Sequence, residues 1–333
     1  MIALTGISLT GGSGFIGSTL ATRLARRQAG FRILDTRPSP LFPERAIQCD
    51  ICDTDQLRAH LQGDTVIHLA AEHRDDVRPR QRYHDVNVGG TKALAAVARE
   101  KGIDRIVFTS TVAVYGFAPP DTAEDGAIAP FNDYGRTKFQ AEQVLRAWQA
   151  DAPDRRSLTI LRPTVVFGPG NRGNVYNLLS FAGSGRFVMI GAGRNRKSMA
   201  YVENIAAFLH HATGFGPGVH LFNYVDKPDL DMNALVSLVR GRLLGRPGTG
   251  PRVPYWFGLA GGYVADAVSA VSGRRLPISS IRVRKFCADS SFASAAHGVP
   301  GFTPVMTLSE GLEHTLQREF LTPDPDAPVF ETE

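Results

Sequence analysis

Tyr134 and Lys138 are the residues of this chain best fitted by type and spacing to move a proton. Residues four apart share one face of a helix, so Tyr-x-x-x-Lys sets a phenol beside an ammonium. The ammonium favours the phenolate, which lowers a tyrosine from its usual pKa of about 10 and fits it for general acid or base work. The same spacing also occurs on ordinary surface helices. Here its meaning comes from the order of segments that leads up to it.

Upstream, a short apolar run from Ile7 to Thr10 enters Gly11-Gly12-Ser13-Gly14-Phe15-Ile16-Gly17. Glycines at 11, 14 and 17 allow a tight turn, bring backbone N–H groups to a pyrophosphate and let the following helix pack close. A second apolar run ends in Asp35, about twenty residues on, where a carboxylate binds the adenosine ribose hydroxyls of a dinucleotide. That favours NAD over NADP, while Arg37 offers a guanidinium to a 2′-phosphate and keeps NADP in view.

The alternation of apolar runs and helical stretches continues. Residues 46–48 read as a third strand, with Asp50 and Ile51 after it at the adenine. Residues 65–71 read as a fourth strand running into Leu69, Ala70 and Ala71, small enough at its end for a cofactor to lie close. Residues 85–101 read as a helix and 105–111 as a fifth strand, after which Thr111, Tyr134 and Lys138 converge. This pattern predicts an α/β fold, a Rossmann-type doubly wound parallel sheet, with ligands outside the carboxyl ends of its strands. A smaller C-terminal substrate domain follows. The expected division is 1–168 for the dinucleotide domain with 201–225 returning to it, 169–200 and 226–320 for the substrate domain, and 321–333 as a mobile tail.

Composition bounds the partners. A net charge of +5 points to an anionic ligand or an acidic membrane surface. No nucleic-acid-binding motif or basic run interleaved with aromatics is present, so nucleic acid is not an expected partner. Cys49 and Cys52 have metal-ligand spacing but no second pair completes a site, and no metal is expected. The N-terminus lacks the basic start of a signal peptide and reads as strand, which places the chain in the cytoplasm.

Taken together, residues 10–17, Asp35, Asp50, 68–71, 87–91, 109–116, 134–138 and 161–170 resemble the extended short-chain dehydrogenases/reductases, the superfamily of sugar epimerases and dehydratases. The resemblance implies that Thr111 hydrogen-bonds the reacting hydroxyl, Tyr134 exchanges its proton and Lys138 holds the nicotinamide ribose. It also implies NAD contacts from Phe15, Ile16, Leu69, Asn87 and Pro163. Dehydratases of the superfamily carry an Asp-Glu pair after the Ser/Thr position, and this chain has Val112-Ala113. Elimination is therefore not expected, which leaves epimerisation or carbonyl reduction.

Residues 71–77, 171–177, 197–202, 223–230 and 284–287 resemble bacterial epimerases that invert C4 of N-acetylglucosamine on undecaprenyl diphosphate, from which some O-antigen units are begun. This implies a polyprenyl-diphosphate-linked or UDP-linked amino sugar as substrate, met by Asn171, Asn174, Arg186, Lys197 and Arg284. Arginine suits a diphosphate because its planar fork binds phosphate oxygens bidentately. Lys197 stands where related epimerases have a diphosphate-binding arginine. A non-catalytic dinucleotide sensor is the reading from another class, and the presence of all three residues Thr111, Tyr134 and Lys138 speaks against it. A homodimer is left open.

Residues 254–273 hold one charged residue, Asp266, and four aromatics near their start. Glycines, serines and the aspartate dilute the run below what a spanning helix needs. Two readings stand: an aromatic segment lying in an anionic membrane surface between Arg242, Arg246 and Arg252 on one side and Arg274, Arg275, Arg282, Arg284 and Lys285 on the other, or a core helix of the substrate domain. The first makes the protein peripheral on the cytoplasmic face of the inner membrane.

Overall fold

Strands that all run the same way need a crossover between neighbours, and the helices that supply it cover both faces of the sheet. The computed structural model describes residues 6–74, 77–272 and 279–331, so Asp75, Asp76, Arg274 and Arg275 lie outside the described residues. The first half runs β1 (Ile7–Thr10), α1 (Phe15–Arg26), β2 (Phe31–Asp35), β3 (Ala46–Gln48), α2 (Thr54–His60), β4 (Thr65–His68), α3 (Gln81–His84), α4 (Thr91–Glu100), β5 (Arg105–Thr109), α5 (Asp133–Ala150) and β6 (Ser157–Pro163). There follow β7 (Val165–Phe167), α6 (Asn174–Gly183), β8 (Met189–Ile190), β9 (Met199–Tyr201), α7 (Val202–Ala212), β10 (Gly218–Tyr224), α8 (Met232–Leu244), β11 (Arg252–Val253), α9 (Tyr255–Ser272), α10 (Ser280–Cys287) and α11 (Leu308–Leu316).

Seven strands form one parallel sheet in the order β10-β6-β5-β4-β1-β2-β3. The chain leaves β1 in one direction and returns through β4 in the other. The switch point therefore lies between β1 and β4, where an open α/β sheet leaves a crevice. β1, β4 and β6 are buried along their whole length, which is why they read as continuous apolar runs rather than alternating ones. One core joins Leu20 and Leu24 of α1 to Ile205, Phe208 and Leu209 of α7; the other joins Leu94 and Val97 of α4 to Leu145 and Trp148 of α5. A third core, with Leu179, Met189, Val236 and Leu312, gathers α6, β8, α8 and α11. The fourth and fifth strands end at His68 and Thr109, short of the expected 71 and 111, because the chain must turn there to open the crevice.

Two expectations are corrected. The C-terminal segment was expected to be a mobile tail, but the Phe330 N–H donates to the Gly170 carbonyl (2.8 Å), its carbonyl accepts from Arg172 N–H (2.9 Å), and its ring lies 5.9 Å from that of Phe15. Three apolar and backbone contacts outweigh the polar composition that suggested mobility. The core reading of 254–273 also fails. Gly258 lies against the Ile190 side chain and Gly262 against the backbone of Ser279 and Ser280. Since the inward face of α9 is made of glycines four apart, the bulky side chains point outward, and Trp256 is 69% exposed. Among the α9 residues whose burial is described, Gly262 alone is buried.

Gly11 adopts φ +72°, and a Cβ there would stand 2.4 Å from the Ala70 nitrogen. Gly11→Ala should therefore lose about 2 kcal/mol or more of stability through strain and displaced backbone. Gly30→Ala, which meets open space, should stay within about 0.5 kcal/mol. Urea unfolding of the two variants checks the contrast.

Candidate functional site

The N-terminus of α1 opens on the crevice with its backbone N–H groups bare. Its capping position is Gly14, which offers no side-chain bond, and no acidic residue lies in its first turn. A Cβ at Gly14 would meet only the Gly11 carbonyl oxygen, at 3.5 Å, whereas one at Gly17 would stand 2.5 Å from Gly12 Cα. Gly17 is thus required for packing, and Gly14 leaves room for an anion. Phe15 is buried and Ile16 packs against the core beneath. At the end of β2, the Asp35 carboxylate accepts from Ser13 N–H (3.0 Å) and Arg37 N–H (3.1 Å), which fixes it beside the loop with lone pairs to spare for ribose hydroxyls. The Arg37 side chain is exposed, and its carbonyl accepts from Ser13 Oγ (3.0 Å).

Asp50 caps its own turn, with Oδ1 accepting from Cys52 N–H (2.9 Å), and Ile51 packs on Gly90. Leu69 N–H donates to Thr10 carbonyl (2.8 Å), so Leu69, Ala70 and Ala71 leave β4 along the lip of the crevice. His68 bridges Thr10 (2.8 Å) and Thr91 (3.1 Å) behind it; full burial and the Lys138 charge hold its pKa well below the usual value, and it stays neutral. Pro163, buried, ends β6. These features fit NAD: a bare helix end for the pyrophosphate and a fixed carboxylate for the ribose. Asn87 is held in the scaffold. Its side chain is buried, accepts from Glu72 N–H (2.7 Å) and donates to Glu72 carbonyl (3.0 Å) and Thr137 Oγ1 (3.0 Å). It ties the loop after β4 to α5, leaving no spare amide proton for a cofactor. Cys49 and Cys52 are free, and the described residues hold no cluster that suits a metal.

Thr111 leaves the end of β5 in extended conformation, and its Oγ1 accepts from Ala113 N–H (3.1 Å). α5 begins at an Asn132 side-chain cap on Gly135 N–H (2.8 Å), and Gly135 is needed because a Cβ would stand 2.5 Å from the Ala113 carbonyl oxygen. That close approach sets Tyr134 beside Thr111, whose hydroxyl acts on the phenol. One turn on, the Lys138 ammonium is buried 4.2 Å from the centroid of Phe108 on β5. The expected lowering of Tyr134 by Lys138 is corrected. Burial pushes the phenol up to about 12, with the Thr111 bond opposing, and pushes Lys138 down to about 7, with the Glu142 charge opposing. Desolvation outweighs the Thr111 hydroxyl at Tyr134 and the Glu142 charge at Lys138.

Sequence reasoning missed what lies behind these residues. Glu142, fully buried, accepts from Ser110 Oγ (2.5 Å) and from Arg162 Nε and Nη2 (2.9 and 2.6 Å). Arg162 Nη1 donates to the Tyr115 hydroxyl (2.8 Å), which donates to Asn223 Oδ1 (2.8 Å), the register partner of Arg162 on β10. The network joins the strand end before Thr111, the turn after it and the helix of Tyr134 and Lys138. Its signal was in the sequence: Glu142 stands four residues after Lys138 on the same face.

The substrate candidates are less convergent. Asn171 is buried and donates to Val166 carbonyl (2.9 Å), and Asn174 opens α6. Arg186 is exposed on the turn between α6 and β8. Lys197, the first choice for a diphosphate, donates instead to the carbonyls of Lys285 (2.8 Å) and Ala288 (2.6 Å), closing the end of α10. Arg284 bonds the Tyr263 hydroxyl of α9, and Arg172 pairs with Glu319 (2.5 Å).

Residues 7–223 match the family described as "NAD dependent epimerase/dehydratase family". The chain belongs to that family. It is similar to the N-acetyl-alpha-D-glucosaminyl-diphospho-ditrans,octacis-undecaprenol 4-epimerase of Escherichia coli O157:H7, 46% identical over 98% of this chain and 99% of that protein. Among solved structures it resembles MoeE5 in complex with UDP-glucuronic acid and NAD (26% identity, TM-score 0.70, 94% of this chain and 98% of that one). The UDP-N-acetylglucosamine 4-epimerase of Methanobrevibacter ruminantium M1 shares the fold (22%, TM-score 0.72, 94% and 97%).

Within this family member, Glu142 supplies the negative charge that favours the Lys138 ammonium. Glu142→Gln removes it, so Lys138 deprotonates at lower pH. The alkaline limb of kcat should move down by about one pH unit, with kcat falling about tenfold or more. Ser110→Ala, which keeps the charge, should leave the limb in place. Rate–pH profiles of both variants check this.

Proposed function

We propose that the protein is a NAD-dependent 4-epimerase that interconverts N-acetylglucosamine and N-acetylgalactosamine on undecaprenyl diphosphate. The observation that carries this reading is the 46% identity to an epimerase of that name across 98% of the chain, substrate region included. The turn after Thr111 supports it, since Val112 and Ala113 offer no carboxylate for elimination.

Held at the bare end of α1 and by the Asp35 carboxylate, NAD would supply an acceptor and donor for the C4 hydrogen with its electron pair, and its cationic ring would oppose the desolvation that holds Tyr134 high. Thr111 and Tyr134 hold O4 between their hydroxyls. Tyr134 as phenolate takes the O4 proton, leaving a 4-keto sugar. Lys138 keeps that phenolate balanced by its own charge. The keto sugar turns over, its C4 regains the hydrogen on the opposite face, and Tyr134 returns the proton to O4. Burial of the pair excludes water that would otherwise exchange with the relay.

UDP-linked N-acetylhexosamine is the second reading, favoured by the UDP-sugar in the complex of MoeE5. Purified protein given both substrates, with the C4 epimers separated, decides between them. Tyr134→Phe should keep NAD binding and lose activity by about a thousandfold or more, in the range of a general acid–base group. Turnover of Tyr134→Phe at the wild-type rate would refute the role, and stoichiometric loss of NADH would identify a reductase.

The exposed face of α9 supports contact with an anionic membrane surface. No described helix is long and apolar enough to cross a bilayer. Tyr255, Trp256 and Phe257 stand at its exposed start, and Arg284 of α10 bonds Tyr263 of α9. Aromatics at headgroup level with cations behind them suit such a surface. The protein should pellet with vesicles containing anionic lipid and release at high salt. Trp256→Ser with Phe257→Ser should reduce binding while leaving unfolding unchanged.

A further inference from the structure

The loop between the turn after Thr111 and the start of α5 carries a second exposed aromatic feature, separate from α9. Phe117 is 76% exposed and Phe131 is 50% exposed, yet their rings stack with centroids 4.7 Å apart and planes 24° apart. Residues 116–131 fold back on themselves. Gly116 adopts φ +68°, where a Cβ would stand 2.0 Å from the Ala129 carbonyl oxygen, and Ala129 N–H donates to Val114 carbonyl (3.0 Å). The loop has its own small core of Val114, Tyr115 and Phe292, with Ala118, Ile128 and Phe139 against it. Phe117 and Phe131 are left outside that core, one on each limb of the loop, so folding of the loop does not account for them.

Their position relates them to the chemistry. Phe131 directly precedes Asn132, the cap of α5, and lies three residues before Tyr134. The Lys285 ammonium stands 5.5 Å from the Phe131 ring centroid, and Lys197 holds the Lys285 carbonyl (2.8 Å). An apolar platform, a cation beside it and a proton-transferring tyrosine in the next helical turn of the chain fit a ligand that is apolar, then anionic, then a sugar. α10 also packs against α9, which carries further exposed aromatics.

We propose that Phe117 and Phe131 seat the isoprene units nearest the diphosphate of a lipid-linked sugar, with Lys285 facing the diphosphate. The pair thereby makes the enzyme prefer an isoprenoid-linked substrate to one with the same diphosphate and no chain. This rests on the lipid-linked reading above. A flexible hydrocarbon chain needs apolar area and no hydrogen-bond partners, which is what two phenyl rings offer.

The test uses full-length protein with NAD and three substrates: N-acetylglucosamine diphosphate esterified with farnesol, the same with methanol, and UDP-N-acetylglucosamine. Wild type should favour the farnesyl over the methyl ester in kcat/KM by roughly ten- to a hundredfold, through KM. Phe117→Ser with Phe131→Ser should remove that preference and leave kcat on the methyl ester unchanged; Phe117→Leu with Phe131→Leu should retain most of it. Phe117→Ser alone, at the more exposed ring, should lose part of it and serves if the double variant does not fold. A preference that survives in the serine variants overturns the proposal and leaves the lipid-linked reading intact. A fall confined to UDP-N-acetylglucosamine overturns it in favour of nucleobase stacking. Wild type inactive on the farnesyl ester overturns both.

Discussion

Exclusion of water from the Tyr134–Lys138 pair is the constraint on which the rest of the structure depends. A phenol and an ammonium buried on one helix face both resist ionisation, one driven up to about 12 and the other down to about 7. Such a pair idles until a ligand supplies charge. NAD brings a cationic ring into the crevice at the β1–β4 switch point, and the same burial that opposes ionisation then strengthens every interaction the cation makes. The glycine turn, the bare end of α1 and the Asp35 carboxylate serve to put that charge in one place.

Buried side chains that must meet within hydrogen-bond reach need a scaffold that fixes strand against helix. Here the scaffold is polar. Glu142 and Arg162 form a buried, bidentate pair; Ser110 donates to Glu142, and Arg162 also donates to the Tyr115 hydroxyl and the Glu124 carbonyl. Replacing such a pair by apolar residues is often neutral for stability, whereas removing one partner is costly. Its retention is understood through the register it sets between Thr111 and α5, and through the charge it places one turn below Lys138.

The strands were legible because parallel strands buried on both faces read as continuous apolar runs, and the loop from Gly11 to Gly17 because Gly11 and Gly17 answer steric demands while Gly14 leaves room for an anion. Thr111, Tyr134 and Lys138 stood out by residue type and spacing, and Tyr134 lies beside Thr111 with Lys138 buried one turn on against Phe108. The substrate side was less legible. Lys197 looked like a free cation, yet its bonds run to the carbonyls of Lys285 and Ala288, a tertiary contact that no local pattern announces. On the cofactor side, the scaffold bonds of Asn87 were equally hidden, since their partners lie 15 and 50 residues away. The tail was misread because composition reports solubility, while Phe330 found a specific seat on Phe15. For α9, apolar content alone suits core and membrane surface equally; glycines at the contact with Ile190 and Ser280 decided which way the bulky side chains face.

A relay that removes and returns hydrogen at one carbon, shielded from water, makes a definite demand on the isotope. N-Acetylglucosamine carrying deuterium at C4 and linked to a polyprenyl diphosphate should be epimerised with all of the deuterium at C4 of the N-acetylgalactosamine product and none in the solvent. Loss of the label to water, or inversion at C1–C3 or C5 with C4 untouched, would contradict the assignment of Tyr134 and bound NAD to a C4 epimerisation.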